Sequence, residues 1–172
     1  MGLLKLNKGQ VISTEFLFAI FILIILLVLG VSLWNLTATR LSEDLIKTEL
    51  ATSAIEVSDY LLKSQGAPTD WEENITNLAS LGLGATLKGN KLDRDKVSAL
   101  LNLDYDKIKE SLGIKSYEFY FKITDLSSNL IQISGNNTEV GLKPNASSHS
   151  VNSQRIAILG NEFVYMNVIT WK

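Results

Sequence analysis

Phe16 to Trp34 reads FLFAIFILIILLVLGVSLW, and this stretch decides how the rest of the chain is read. It carries no charge, and nearly every side chain is apolar. At 1.5 Å per residue, its helical length is about 28 Å, close to the roughly 30 Å hydrocarbon thickness of a bilayer. No other stretch of the 172 residues comes near it. The sequence thus predicts a chain tethered at this end, or packed along this helix in an assembly.

The residues before it read MGLLKLNKGQVISTE. A secretory signal peptide has a basic start, an apolar core of about 7–15 residues and a small-residue cleavage site after that core. Lys5 and Lys8 supply the basic start. The apolar core is too long, and Leu33-Trp34-Asn35-Leu36-Thr37-Ala38-Thr39 offers no convincing site of the Ala-x-Ala kind. The plain reading is an uncleaved anchor helix. Lys8-Gly9-Gln10 precedes the run, however, and Ser13 and Glu15 stand at its entrance. A carboxylate at the mouth of a membrane helix is costly unless it stays at the interface or is paired.

Lys8-Gly9-Gln10 followed by Ser13-Thr14-Glu15 resembles the leader of archaeal type IV pilin-like proteins, the group with a class III signal peptide. In that family a membrane peptidase cuts before the hydrophobic stretch, which stays on the mature subunit. The family pattern is Gln-x-Ser-x-Glu, with the Glu fifth in the mature chain. Here one extra residue separates Gln10 from Ser13. Cutting after Gln10 makes Val11 first, Ser13 third and Glu15 fifth; cutting after Gly9 makes Gln10 first and Glu15 sixth. The resemblance implies that Glu15 neutralises a freshly cut α-amine, its own or a neighbour's, and so fixes axial register among packed helices. Without it, Glu15 is a helix N-terminal charge favoured by the macrodipole.

Orientation rests on weak charge bias, because Lys5 and Lys8 on one side face Arg40 and Lys47 on the other. Asn35-Leu36-Thr37, Asn74-Ile75-Thr76, Asn136-Asn137-Thr138 and Asn145-Ala146-Ser147 are candidate glycosylation acceptors, all after the apolar run. They point to the C-terminal part lying outside.

After Gly30 no Gly or Pro occurs until Gly66. Leu41, Leu45, Thr48, Thr52, Ile55, Asp59 and Leu62 recur at helical spacing, a thin stripe that Ala51, Ala54 and Val57 widen. One helix is therefore expected from about Ser13 to Ser64, about 78 Å long by its rise, stopped by Gly66 and Pro68. Such a helix resembles the first helix of type IV pilins, whose first half packs in a filament core and second half on a β-rich head. A coiled-coil dimer is the competing expectation. Thr48, Thr52 and Asp59 on the stripe argue against it, so packing on the chain's own head is preferred.

The expected organisation is a leader (1–10), a hydrophobic half-helix (11–35), an amphipathic half-helix (36–65) and a globular α+β head (66–172). Trp71 is expected to anchor the head on the end of the long helix, with one or two helical turns over Glu72–Ala79. Leu81–Ala85 is read as a flexible turn with buried leucines. Asp93 and Asp104 are read as N-caps of two short helices with Val97, Leu100, Leu101 and then Tyr105, Ile108, Leu112 inward; Gly113 closes the second. Their acidic pairs lack the glycine-centred loop and closing Glu of a calcium site. Tyr117–Ile123 alternates as a strand and Leu130–Ile133 continues it. Ser134–Ser153 reads as a long polar loop with a short strand near Glu139–Leu142. Arg155–Leu159 and Glu162–Trp171 form a hairpin about Gly160-Asn161.

Composition limits the function. With 16 basic and 18 acidic groups and no basic-aromatic stripe, nucleic-acid binding is not expected. No cysteine is present, which excludes a disulfide framework, a thiolate zinc site and a Cys nucleophile. His149, the sole histidine, lies in a polar stretch, and no catalytic, phosphate-binding or metal motif accompanies it. No enzyme, cofactor or metal role is therefore expected. The resemblance implies a membrane-inserted structural subunit. Its partners would be a prepilin-type peptidase, other pilin-like subunits and membrane lipid. The alternative is a stand-alone, single-pass anchored module whose head binds a protein or glycan.

Overall fold

The computed structural model describes residues 14–86, 89–114, 116–146 and 149–172. Contacts divide the chain into two compact units, Met1–Asp44 and Leu45–Lys172. One helix, α1 (Thr14–Lys63, 50 residues), runs from the first into the second. It is helical from the first described residue and stops within a residue of expectation. No glycine, proline or cap interrupts it except Gly30, and a single glycine costs a helix only about 1 kcal/mol.

In the second unit α1 packs on a five-stranded sheet of order β1-β6-β7-β2-β5. The strands are β1 (Lys91–Leu92), β2 (Glu118–Thr124), β5 (Glu139–Gly141), β6 (Ser150–Leu159) and β7 (Glu162–Trp171). β1 runs parallel to β6, and the other pairs are antiparallel. β3 (Gln132–Ile133) and β4 (Asn136–Asn137) form a separate small hairpin. Two short helices, α2 (Arg94–Leu101) and α3 (Tyr105–Ser111), precede β2. The fold is thus α+β, with a long N-terminal helix on a small mixed sheet.

The register places Phe119, Phe121 and Ile123 of β2 beside Thr170, Val168 and Met166 of β7, and these beside Val151, Ser153 and Arg155 of β6. Apart from Val151 and Arg155, all of these are buried. Each large apolar side chain so placed contributes roughly 1.5–3 kcal/mol. Against this face α1 lays Leu50, Ala54, Val57, Ser58, Leu61 and Leu62. Polar contacts fix the approach. Thr170 Oγ1 donates to the Leu50 carbonyl at 2.9 Å, the Ser58 and Ser153 hydroxyls meet at 2.8 Å, and Arg155 Nε donates to Asp59 Oδ1 at 2.9 Å.

This corrects the expected stripe. Leu41, Leu45 and Ile55 are exposed, and of the leading row only Leu62 is buried, whereas Ala54 and Val57, expected to widen the stripe, do face inward. The inward face uses the small residues Ala54 and Ser58 because the sheet passes close at that level. A large side chain there would hold the two layers apart.

Trp71 is fully buried, as expected, within the cluster that includes Leu61 and Leu62. The helical turns expected after it shrink to a 3-10 turn at Ile75–Asn77. Leu81 and Leu83 are buried, but the segment is a tight pass rather than a flexible turn. A Cβ on Gly82 would lie 2.4 Å from the backbone nitrogen of Gly66 and the carbonyl of Ser64. Leu83 N–H donates to Leu61 O and Gly84 N–H to Ser64 O, both at 2.8 Å, so the strand-like segment closes the end of α1.

Asp93 caps α2 through the Asp95 and Lys96 amides, and Asp104 caps α3 through that of Asp106. Gly113, at φ +71°, follows α3. The hairpin turns at Gly160-Asn161, with Gly160 at φ +66°, a value glycine adopts without cost. The polar loop was expected to run through Ser153. It ends earlier, because β6 begins at Ser150 and pairs with β7 along its whole length.

Candidate assembly and membrane segment

In α1 every side chain from residue 14 to residue 44 is exposed. Phe16 is 56 % exposed, Phe21 62 % and Leu27 60 %. Each such group gains roughly 1.5–3 kcal/mol on leaving water. Over the whole run, that exceeds the ~5–15 kcal/mol that holds a domain folded. A segment of this kind needs a covering phase, and lipid or neighbouring apolar helices are the two phases that match it. By length and composition α1 can cross a membrane once.

Details along the segment fit an apolar surrounding. Thr37 Oγ1 donates to the Leu33 carbonyl at 2.9 Å and Thr39 Oγ1 to that of Asn35 at 3.0 Å, so both hydroxyls are satisfied within the helix. Gly30 has nothing within 4 Å of where a Cβ would stand, which leaves a shallow notch on the surface. Glu15 lies exposed in the first turn, where the unsatisfied amides of the helix start favour an anionic side chain. Lys8, Gly9, Gln10, Val11 and Ser13, the other residues expected to act in processing and assembly, lie outside the described residues.

The head carries three polar clusters. Asp59 joins Lys63 and Arg155, each at 2.9 Å; the Lys63 hydrogen bond, with Arg155 behind it, holds its carboxyl below the usual range. Tyr105 donates to Glu118 Oε2 at 2.6 Å and accepts from the Phe119 amide at 3.0 Å. Burial, then that carboxylate, pushes the phenol up to about 12, while the same bond, with Lys109, lowers Glu118. Tyr120 donates to Glu139, which also pairs with Lys143 at 2.9 Å. Burial first and Glu139 second raise the phenol, and the Tyr120 bond lowers the Glu139 carboxyl. All three tie neighbouring elements together, with each acid matched to a donor.

A fourth knot was not read from the sequence. Lys96, 3 % exposed, donates to the carbonyls of Gln65 at 2.7 Å and Thr69 at 2.6 Å, with Glu72 Oε2 at 3.9 Å. It fastens the chain leaving α1 to α2. A lysine on a helix reads as solvated by default, so only its position beside Val97 hinted otherwise. An open groove of about 580 Å3 lies between α1 and the segment after α3, with Glu56, Glu110 and Tyr117 among its walls. Its walls hold two carboxylates and no histidine, a poor set for acid–base chemistry near neutral pH. His149 is exposed, and its backbone pairs with that of Lys172. Among the described residues no group of three or more His, Cys, Asp or Glu is placed to hold a metal.

The four candidate acceptors fall in different settings. Asn35 sits within α1, Asn74 caps the 3-10 turn, Asn136 lies in β4, and Asn145 is exposed in the segment before β6. No protein-family model, curated protein or solved structure matches this chain.

Proposed function

We propose that this chain is a structural subunit of the type IV pilin-like kind. It is held in the membrane by the apolar half of α1 and assembles through that half into a surface filament or pseudopilus-like complex. The observation that carries the reading is the charge-free, wholly exposed helix from Phe16 to Trp34, continuous with a segment that packs on a compact head. An anchor alone needs only the first part of that arrangement. A helix that is half handle and half head scaffold also suits transfer from lipid into a bundle of like helices. The leader residues Lys8, Gly9 and Gln10 supply a processing site for a prepilin-type peptidase. On this reading the head lies outside the membrane, as a single-pass protein before assembly, and its partners are other pilin-like subunits.

Glu15 then pairs with a neighbouring α-amine away from water. Removing one member of such a desolvated pair costs about 3–5 kcal/mol, or roughly a hundredfold or more in the assembly equilibrium. Glu15→Ala is therefore expected to leave the circular dichroism of the head and its membrane recovery unchanged, while the subunit recovered in sheared filament or high-mass complex falls at least ~100-fold. Unchanged recovery in the assembled fraction contradicts the role and favours the stand-alone anchored module.

A further inference from the structure

We propose that Asn74 is the N-glycan acceptor of the folded chain. In a cell this rests on the head lying outside the membrane; as a property of the folded head it stands alone. The reaction joins Asn74 Nδ2 to the anomeric carbon of a lipid-linked sugar diphosphate. The carbon–oxygen bond to phosphate breaks, the lipid diphosphate leaves with the electron pair, and the amide proton passes to a base of the transferase. The transferase must reach both the amide nitrogen and the hydroxyl two residues later. In a folded chain, that double requirement separates triplets that look alike in sequence.

Asn74 meets it. Asn74 and Thr76 are both exposed, while Ile75 and Leu78 pack partly against the core, so the turn presents its polar side chains outward. Asn74 Oδ1 accepts from the Thr76 amide at 3.3 Å, so the contact engages the side-chain oxygen and not the nitrogen. The turn is held in place by Lys107 Nζ on the Ile75 carbonyl at 3.2 Å and by the Asn77 amide on the Asn74 carbonyl at 3.2 Å.

One other triplet fails on its hydroxyl and another on its helix. Thr138, partner of Asn136, is fully buried, and its Oγ1 lies 2.9 Å from the Ile123 carbonyl and 2.8 Å from the Ile131 carbonyl. It staples β2 to the β3–β4 hairpin, and reaching it requires unfolding that corner. Asn35 and Thr37 are exposed but lie inside a continuous helix, which must open before the pair can enter a transferase, and Thr37 Oγ1 already donates to the Leu33 carbonyl at 2.9 Å. Asn145 is exposed, but Ser147 lies outside the described residues, so this triplet enters the test as a competitor.

The test uses the full chain in detergent micelles with a purified oligosaccharyltransferase and a lipid-linked oligosaccharide, read by intact and peptide mass. The expected result is one glycan per chain, located on Asn74. Transfer should fall at least tenfold in Asn74→Gln and in Thr76→Ala, and persist in Thr76→Ser and Asn136→Gln. A folded chain that takes no glycan while its urea-unfolded form does overturns the proposal. So does transfer undiminished in Asn74→Gln, or a glycan on Asn145 with Asn74 bare. Protein from its native membranes tests sidedness separately, because an acceptor competent in micelles but bare in cells removes the outside placement and leaves the acceptor assignment intact.

Discussion

Trp71→Ala is expected to destabilise the head by about 3–5 kcal/mol, a large part of the ~5–15 kcal/mol available to a domain. The indole is fully buried and reaches the chain at three levels. It belongs to the buried cluster that holds Leu61 and Leu62 at the end of α1 and Leu81 and Leu83 in the pass that follows. It lies so near Gly66 that a Cβ there would come within 2.6 Å of Trp71 Cδ1. Its Nε1–H donates to the Gly82 carbonyl at 3.0 Å. Truncation removes the ring, leaves a cavity that the constrained glycine backbone cannot close, and orphans a buried carbonyl, which adds about 1–3 kcal/mol. Trp71→Phe keeps much of the area and loses the donor, so it should cost clearly less. Urea unfolding in micelles, followed by near-ultraviolet circular dichroism, reads both variants. An alanine midpoint equal to that of the parent contradicts this placement of the indole.

Lys96→Ala should rival it in size. Taking away one partner of a buried charged pair typically costs about 3–5 kcal/mol, because the charge left behind has no counterion. Here the loss also strands the carbonyls of Gln65 and Thr69, and it leaves Glu72 Oε2, already without a hydrogen-bond partner, facing an empty site. Lys96→Met restores the stem but no donor, so it should recover only part of the loss. Adding Glu72→Gln to Lys96→Met should recover more, since the partly buried Glu72 carboxylate is then no longer left without its cation. Urea unfolding followed by near-ultraviolet circular dichroism provides the readout. If Met at position 96 is as stable as Lys, the ammonium contributes nothing and the knot is only packing.

These two residues also show where the sequence was informative. Trp71 was legible because a large aromatic two positions beyond a Pro-containing turn has few places to go but the core. Asp93 and Asp104 were legible because capping is local chemistry, decided by the residue and the amides two or three positions on. The Gly160-Asn161 hairpin was legible for the same reason. Lys96 was not, because a buried lysine depends on carbonyls 27 and 31 residues away in the chain. The inward face of α1 is legible only in part for a related reason: Ala54, Val57 and Leu62 of the expected stripe are buried, and the rest of its leading row is not. Leu41, Leu45 and Ile55 form the more apolar row, yet close contact with the sheet selects Ala54 and Ser58, whose smallness matters only once Ser153 stands opposite. β1, two residues long and parallel to β6, had no periodicity to reveal it. For the assembly segment the balance is reversed. Phe16–Trp34 declares itself by composition, and the residues that make it specific, Lys8 to Ser13, are known from the sequence alone.

We propose that this apolar half-helix is a processed handle for assembly rather than a permanent anchor behind an intact leader. Mass spectrometry of the mature amino terminus, on chain recovered from its own membranes, tests it most directly. The expected chain begins at Gln10 or Val11, with Glu15 sixth or fifth and Phe16–Trp34 retained. A chain that still carries Met1 to Gln10 contradicts it.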